Sequence, residues 1–338
     1  MQSLAIKYRP QTFTEVVEQS ATKVILQQQL ESGEIKNAYL FCGGAGTGKT
    51  TVARIFAREI NKGLGSPIEL DAASNNSVDD VRDIIQQAKT SSLDSEYKVF
   101  IMDEVHALSN QAWQALLKIL EEPPAKSIFI MCTTDPQKIP NTILSRVQRY
   151  NFQRISTQAI CERLNEVVAR EIENGSQIRV TDEGIAYIAK LASGGMRDAL
   201  TMLDKCLAFS NDLTIREIVN ALGLSDFTSM INLLKACVTE DSLTEIGVIR
   251  EIYMSGLDLK QYVKDFTNFV LDYNKWLLGV DDYLDCPLTS EIEGAFEFAQ
   301  EENLNGTELL SSLIKLQTEI KWDTNPLARV EAWCFAKE

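Results

Sequence analysis

The sequence predicts a parallel α/β unit followed by two all-helical regions. Three observations carry that expectation. From residue 1 to 155 short apolar runs alternate with amphipathic stretches, the pattern of a parallel sheet covered by helices. After Arg154 the strand signals almost vanish and helical periodicity takes over. A glycine-rich loop joins the first long apolar run to the first helix behind it.

Strands are expected at "AYLFCG" (38–43), "IEL" (68–70), "KVFIMDE" (98–104), "SIFIMCTT" (127–134) and "RYNFQ" (149–153), with helices near 48–61, 78–92 and 109–121. The first helix starts at the end of the glycine loop, and "DAASNNS" supplies capping residues to the second. "EEPP" (121–124) stops the third, because consecutive prolines cannot continue a helix. Beyond them, "STQAICERLNEVVAREIENG" and "TDEGIAYIAKLASGG" open on capping residues and end near glycine. "MRDALTMLDKCLAF" and "TIREIVNALGL" continue the helical series, and from Ser225 onward the periodicity is long and the exposed faces acidic. The expected domains are 1–155 (α/β), 156–223 (small helical) and 224–338 (larger helical), which a chain of 338 residues accommodates.

Composition narrows the class. Forty-five per cent hydrophobic and 24% charged residues are ordinary for a soluble globular protein. No apolar run is long enough to span a bilayer, and "MQSLAIKYRPQTF" lacks a signal core, so the expected location is the cytoplasm, with no membrane contact. The seven cysteines are scattered singly with no CxxC pair, and His106 is the only histidine. That excludes a His-rich metal site and leaves buried free thiols as the expectation. The net charge of −15 is uneven: residues 224–338 hold 9 Lys+Arg against 21 Asp+Glu, and the first 223 hold 24 against 27. The charge argues against indiscriminate nucleic-acid binding; the first two thirds leave room for a surface facing nucleic acid, and the last third is a poor candidate for one.

"GGAGTGKT" (43–50) fits G-x-x-x-x-G-K-[ST] between a strand and a helix. Its residues Gly43, Gly44, Ala45, Gly46, Thr47 and Gly48, continuing through Lys49, Thr50 and Thr51, are expected to wrap phosphates with backbone N–H groups at a helix N-terminus. Lys49 would reach the β- and γ-phosphates of ATP, and the Thr50 hydroxyl would ligate Mg²⁺. "VFIMDE" delivers Asp103 and Glu104 to the carboxyl end of a strand. Asp103 suits the Mg²⁺ shell, and Glu104 suits the polarisation of an attacking water, which means hydrolysis.

Three further residues have open readings. Thr134 either bonds the lytic water or γ-phosphate, or joins Thr133 in capping the turn at Asp135-Pro136. Arg197, just past a Gly-Gly break in "SGGMRDAL", either swings over the nucleotide or pairs with Asp198 or Asp204. Arg146 in "TILSRVQRY" stands far along the chain from the phosphate loop and raises the question of whose nucleotide it serves.

The blocks "KYRPQTFTEVVEQ", "GGAGTGKTT", "IELDAASNNSVDDVRDI", "KVFIMDEVHALSNQAWQALLKILEEPP", "TTDPQKIPNTILSRVQR" and "SGGMRDAL", in this order, closely resemble the bacterial DNA polymerase III gamma/tau subunits. Those are the AAA+ ATPase motors of the sliding-clamp loader, and the resemblance is dense through about residue 222. It implies a RecA-like domain, a helical lid and a helical collar that holds subunits in a pentamer. Arg146 then looks like an arginine finger acting in trans on a neighbour's ATP; the alternative is a salt bridge inside its own domain. The resemblance also implies that Arg9 approaches the nucleotide, that Val16 and Val17 line the adenine pocket, and that Thr134 and Arg197 are the first and second sensors.

As implied partners it brings a sliding clamp, primer–template DNA, delta- and delta-prime-like loader subunits and further copies of the chain. The matching DNA element is the helix opened by "SNNSVDDVRD", with Asn75, Asn76, the amides near Val78, and Arg82. Departures are equally plain. The family's four-cysteine zinc module is replaced by "NKGLGSP" (61–67), so no zinc is expected. "SRV" replaces Ser-Arg-Cys, Glu18 stands where glycine is common, and the family's C-terminal tail is not expected. A compact form is expected, from a virus (then in the host cytoplasm) or a reduced genome. The competing readings are a branch-migration helicase type of AAA+ motor and a non-hydrolysing nucleotide-binding scaffold subunit.

Overall fold

Five parallel strands form one sheet: β1 Ala38–Gly43, β2 Ile68–Asp71, β3 Lys98–Asp103, β4 Ser127–Thr133 and β5 Gln148–Phe152, in the spatial order β2-β3-β4-β1-β5. The computed structural model describes residues 2–90, 92, 94–224 and 226–335. Because β1 lies inside the sheet next to β4, and β3 lies beyond β4, the turns leaving β1, β3 and β4 open side by side at the carboxyl edge. That edge is where a sheet of this kind leaves a crevice for ligand.

Alternation along the strands sends side chains to two cores. Leu40, Phe100, Met102, Phe129 and Met131 face one side and pack with Ile84, Trp113 and Leu116. Those three belong to α4 Val78–Ala88 and α5 Asn110–Glu121. Tyr39, Phe41, Ile101 and Ile130 face the other side, packing with Leu26, Val52 and Phe56. These come from α2 Ser20–Ser32 and α3 Lys49–Ile60. A short first helix, α1 Leu4–Lys7, leads to Tyr8, whose carbonyl accepts from the buried Arg163 at 3.1 Å. Arg163 lies on α7 Thr157–Glu173, which follows the four-residue α6 Asn141–Leu144 and β5.

The chain divides into two compact units, Met1–Gly175 with Ala192–Asp204, and Ser176–Leu191 with Lys205–Glu338. The second unit contains α8 Asp182–Leu191, the end of α9 Met196–Phe209, α10 Ile215–Leu222, α11 Phe227–Val238 and α12 Ser242–Met254. Then come α13 Leu259–Leu277, α14 Ser290–Glu301, α15 Gly306–Ile320 and α16 Pro326–Phe335. Its core centres on α13, where Phe269, Tyr273 and Trp276 all meet the ring of the fully buried Phe296 from α14.

Several expectations change in detail. The helix expected over 78–92 ends at Ala88, where the Lys89 and Thr90 amides turn back to Gln86 O and Gln87 O; Ser91 lies outside the described residues. Serine and threonine there compete with helical bonding. α2 was not expected, because its buried positions are only Thr22 and Leu26 and packing, not pattern, holds it. It starts after two consecutive residues of positive φ, Glu18 and Gln19. The helical region also carries one parallel pair of two-residue strands, β6 Arg179–Val180 and β7 Asp212–Leu213. Six of the seven cysteines are buried; Cys161 is half-buried, so the expectation of buried thiols fails there.

Candidate nucleotide-binding site

The loop after β1 is glycine for steric reasons at two places. A Cβ on Gly43 would meet Phe152 O at 2.4 Å, and Gly46 (φ +69°) would put one 2.9 Å from the Gly195 Cα. Gly46 O also accepts from Met196 N at 3.1 Å, so the first turn of α9 is fastened directly to the loop. Lys49 opens α3 with its side chain buried, and its Nζ donates to Gly43 O (2.9 Å) and Gly44 O (2.8 Å). Burial pushes the Lys49 pKa down, while Glu104 and Asp103 act against that shift. A cation resting on two loop carbonyls is poised to exchange them for phosphate oxygens.

At the neighbouring edge, Thr50 Oγ1 donates to Asp103 Oδ2 at 2.7 Å. A hydroxyl and a carboxylate this close are the hard oxygen donors that Mg²⁺ takes, so the residues fit that ion. Glu104, the first residue past β3, adopts a left-handed conformation (φ 48°, ψ 43°) and bends the chain back over the sheet edge. Its Oε2 accepts from Thr134 Oγ1 (2.8 Å) and Thr134 N (3.2 Å). The two threonines divide the roles left open above: Thr133 Oγ1 caps the turn by accepting from Asp135 N at 3.1 Å, and Thr134 faces Glu104.

Positive charge gathers on the other side of the loop. Arg9 Nε lies 3.3 Å from Thr51 Oγ1, and its pKa is lowered first by burial, then by Arg54, with Arg197 adding to it. Arg54 is paired with Glu69 at 2.5 Å, whereas among the described residues Arg197 forms no ion pair with Asp198, Asp204 or any other acid. Guanidinium groups crowded in this way at a helix N-terminus favour an anionic ligand. Val16 is buried and Val17 half-buried, and Val16 O accepts from Lys23 Nζ at 2.7 Å.

Other expected residues lie apart from these contacts. Arg146 follows α6, and its guanidinium donates to Thr142 O (2.6 Å) and Ser145 Oγ (3.0 Å) and pairs with Glu121 at 2.8 Å. Within this chain its partners are thus neither loop nor acidic-edge residues, while Val147 packs on the core beneath. At the start of α4, Asn75 is folded onto Asp71 O, and Asn76 O accepts from Ser109 N. Just beyond Asn76, Ser77 and Asp80 form a reciprocal cap ahead of Val78, while Arg82 pairs with Asp79 at 2.8 Å. Two carboxylates in the first turn already satisfy that helix end and weaken its pull on phosphate.

Sequence reasoning missed five residues. Glu18 accepts from Ser156 N and Oγ at the N-cap of α7, which accounts for the acid at a common glycine position. Gln19 clasps Gln153 through both its amide ends. Arg54 and Glu121 matter only through partners distant in sequence. His106 places Nδ1 3.2 Å from Glu104 Oε2, and its being the single histidine, two positions past that acid, was a usable signal.

Comparison with known proteins bears on this arrangement. Residues 66–156 match the family described as "DNA polymerase III, delta subunit", and residues 159–212 match "DNA polymerase III clamp loader subunit, ATPase lid domain". The chain is 36% identical to DNA polymerase III subunit tau of Bacillus subtilis over 96% of its own length and 61% of that relative. It is 34% identical to subunit tau of Escherichia coli over 76% of the chain and 43% of the relative. It therefore spans from about a third to three fifths of the curated relatives it matches. Among solved structures, the Thermotoga maritima RuvB Holliday junction branch migration motor superposes with a TM-score of 0.52, at 19% identity, over 75% of this chain and 86% of that one. At that identity the likeness is one of fold. The two family matches, in chain order, and the identity extending over nearly all of the sequence place it: this chain belongs to the family of the bacterial DNA polymerase III gamma/tau clamp-loader subunits.

Proposed function

We propose that the chain binds Mg²⁺-ATP at the carboxyl edge of its sheet and hydrolyses it as the motor of a sliding-clamp loader in DNA replication, in the cytoplasm. The observation that carries this is the grouping of Lys49, Thr50–Asp103 and Glu104–Thr134 on three adjacent strand ends. The glycine-loop amides and Lys49 hold the phosphates, and Arg9 and Arg197 add charge from the flank. Thr50 and Asp103 hold Mg²⁺, which when bound neutralises charge on the phosphate oxygens. Glu104 accepts a proton from the attacking water, and Thr134 sets the direction of its carboxylate.

Arg146 completes a neighbour's site. Its guanidinium rests on Glu121 in a single chain and turns outward to a second subunit's ATP on assembly. Hydrolysis then depends on how subunits are arranged, which suits a machine that must release its clamp only after DNA is in place. In this reading residues 156–223 act as lid and 224–338 as collar, within a pentamer completed by delta- and delta-prime-like subunits or further copies. Val16 and Val17 line the base pocket. DNA contact falls at Asn75, Asn76, Val78 and Arg82, summed over several subunits, because one end already carrying Asp79 and Asp80 binds phosphate weakly.

The test is ATP turnover with and without a sliding clamp and primed DNA. Stimulation by both, lost in Glu104→Gln, is the expected result. A chain whose turnover ignores clamp and DNA, or a Glu104→Gln variant as active as the parent, removes the reading. DNA capture by the assembly should fall steeply between low and moderate salt, measured by titration at two ionic strengths.

A further inference from the structure

We propose that His106 is a positioning residue for the hydrolytic step: it holds the Glu104 carboxylate in the orientation that receives the water's proton. The inference rests on Glu104 being the base, as proposed above.

The backbone is built to bring these groups together. Glu104 turns left-handed, and Val105–Ala107 then forms a single tight turn closed by Ala107 N donating to Glu104 O at 2.9 Å. Val105 is fully buried and anchors that turn. The His106 ring is thereby folded back across the ends of β3 and β4, with Nδ1 3.2 Å from Glu104 Oε2 and 3.2 Å from Thr133 Oγ1. His106 Nδ1 is hydrogen-bonded to Thr133 Oγ1, and a proton on that nitrogen would also lie within reach of the Glu104 carboxylate, which can only accept.

Two donors, the Thr134 hydroxyl and the Thr134 amide, converge on one carboxylate oxygen, Oε2, and His106 Nδ1 lies 3.2 Å from that same atom. Among the described residues every donor that reaches this carboxylate meets that same atom. A carboxylate fixed through one oxygen presents the other in a set direction, which is what a base needs to meet a water in line. Thr134 cannot do this alone throughout turnover, because the same hydroxyl is the group expected to bond phosphate or water. When it does so Glu104 loses a donor, and His106 is the side chain that still holds it. Thr133, bonded to Asp135 N, is the fixed post from which the ring is braced.

The experiment compares ATP turnover by the full chain as parent, His106→Leu, His106→Asn, Glu104→Gln and the His106→Leu/Glu104→Gln double variant. It is done in the assembly that gives the parent its fastest rate, with binding of a fluorescent ADP analogue and melting temperature recorded alongside. His106→Leu should lower kcat roughly ten- to hundredfold and leave analogue affinity within about twofold. His106→Asn, whose amide N–H lies near the place of Nδ1–H, should recover most of the rate. In the Glu104→Gln background, removing His106 should change nothing further. The proposal is overturned by a His106→Leu variant as fast as the parent or faster, or by one in which affinity falls as much as kcat. It is also overturned if Asn fails to rescue at unchanged melting temperature. If Glu104→Gln alone turns over normally, the assignment of Glu104 falls first and takes this inference with it, an outcome read without any histidine variant.

Discussion

Buried charge serves opposite ends in the two units. In the α/β unit, Lys49 is buried against the carbonyls of Gly43 and Gly44 in its own loop, and those partners can be exchanged. In the helical unit, the Asp272 carboxylate is fully buried and locked: Lys275 donates to one oxygen at 2.8 Å, and the Asp285 and Cys286 amides to the other at 2.9 and 2.7 Å. The first group is satisfied by atoms that have other bonding capacity. The second is satisfied by amides that would be left buried and empty without it, so it fixes the connection between α13 and α14. A buried ion therefore signals function when its partners are replaceable and architecture when they are not.

That contrast is open to test, the largest effect first. Arg146→Ala should lower assembled ATP turnover by roughly 10³-fold. Its exposed pair with Glu121 should contribute under about 1 kcal/mol to stability, so thermal melting should hardly move. Mixing it with Lys49→Ala should restore part of the rate, since each variant supplies what the other lacks; no recovery on mixing would place Arg146 outside the chemistry.

Phe296→Ala should behave in the reverse way, costing about 3–5 kcal/mol in the helical unit by opening a cavity among Phe269, Tyr273 and Trp276. Binding of an ATP analogue to the folded fraction should stay unchanged, as followed by denaturant titration beside a binding curve. Asp272→Ala comes next, at about 2–4 kcal/mol, because it strands two amides and one ammonium. If that variant instead altered nucleotide affinity at constant stability, the distinction between the two units would fail. Smallest is Glu18→Ala, which removes the acceptor for Ser156 and should cost about 1 kcal/mol, measured as a shift in the denaturation midpoint of the α/β unit.

The five strands were legible within a residue or two because their apolar runs are continuous and the turn residues between them strong. The loop, Lys49, Thr50, Asp103 and Glu104 were legible because strand–glycine loop–helix and strand–acid–acid are local patterns with local causes. Helix α2 was not, since its polar surface carries almost no stripe and it is held by Leu26 and by the Gln19–Gln153 clasp across the domain. Nor was the division of labour between Thr133 and Thr134, which depends on which way each hydroxyl leaves the end of β4.

By itself, then, the sequence determined where backbone would be extended or helical, and which short segments could surround phosphate. Those properties follow from steric and hydrogen-bonding preferences acting over a few residues. Only the tertiary structure decided which polar groups share an atom: Thr134 and His106 on one oxygen of Glu104, Glu121 on Arg146, Glu18 under Ser156. A hydrogen bond is set to a few tenths of an ångström, and all of these partners but His106, lying 25 to 138 positions apart, reach that tolerance only once the sheet and its cores have fixed where each strand ends.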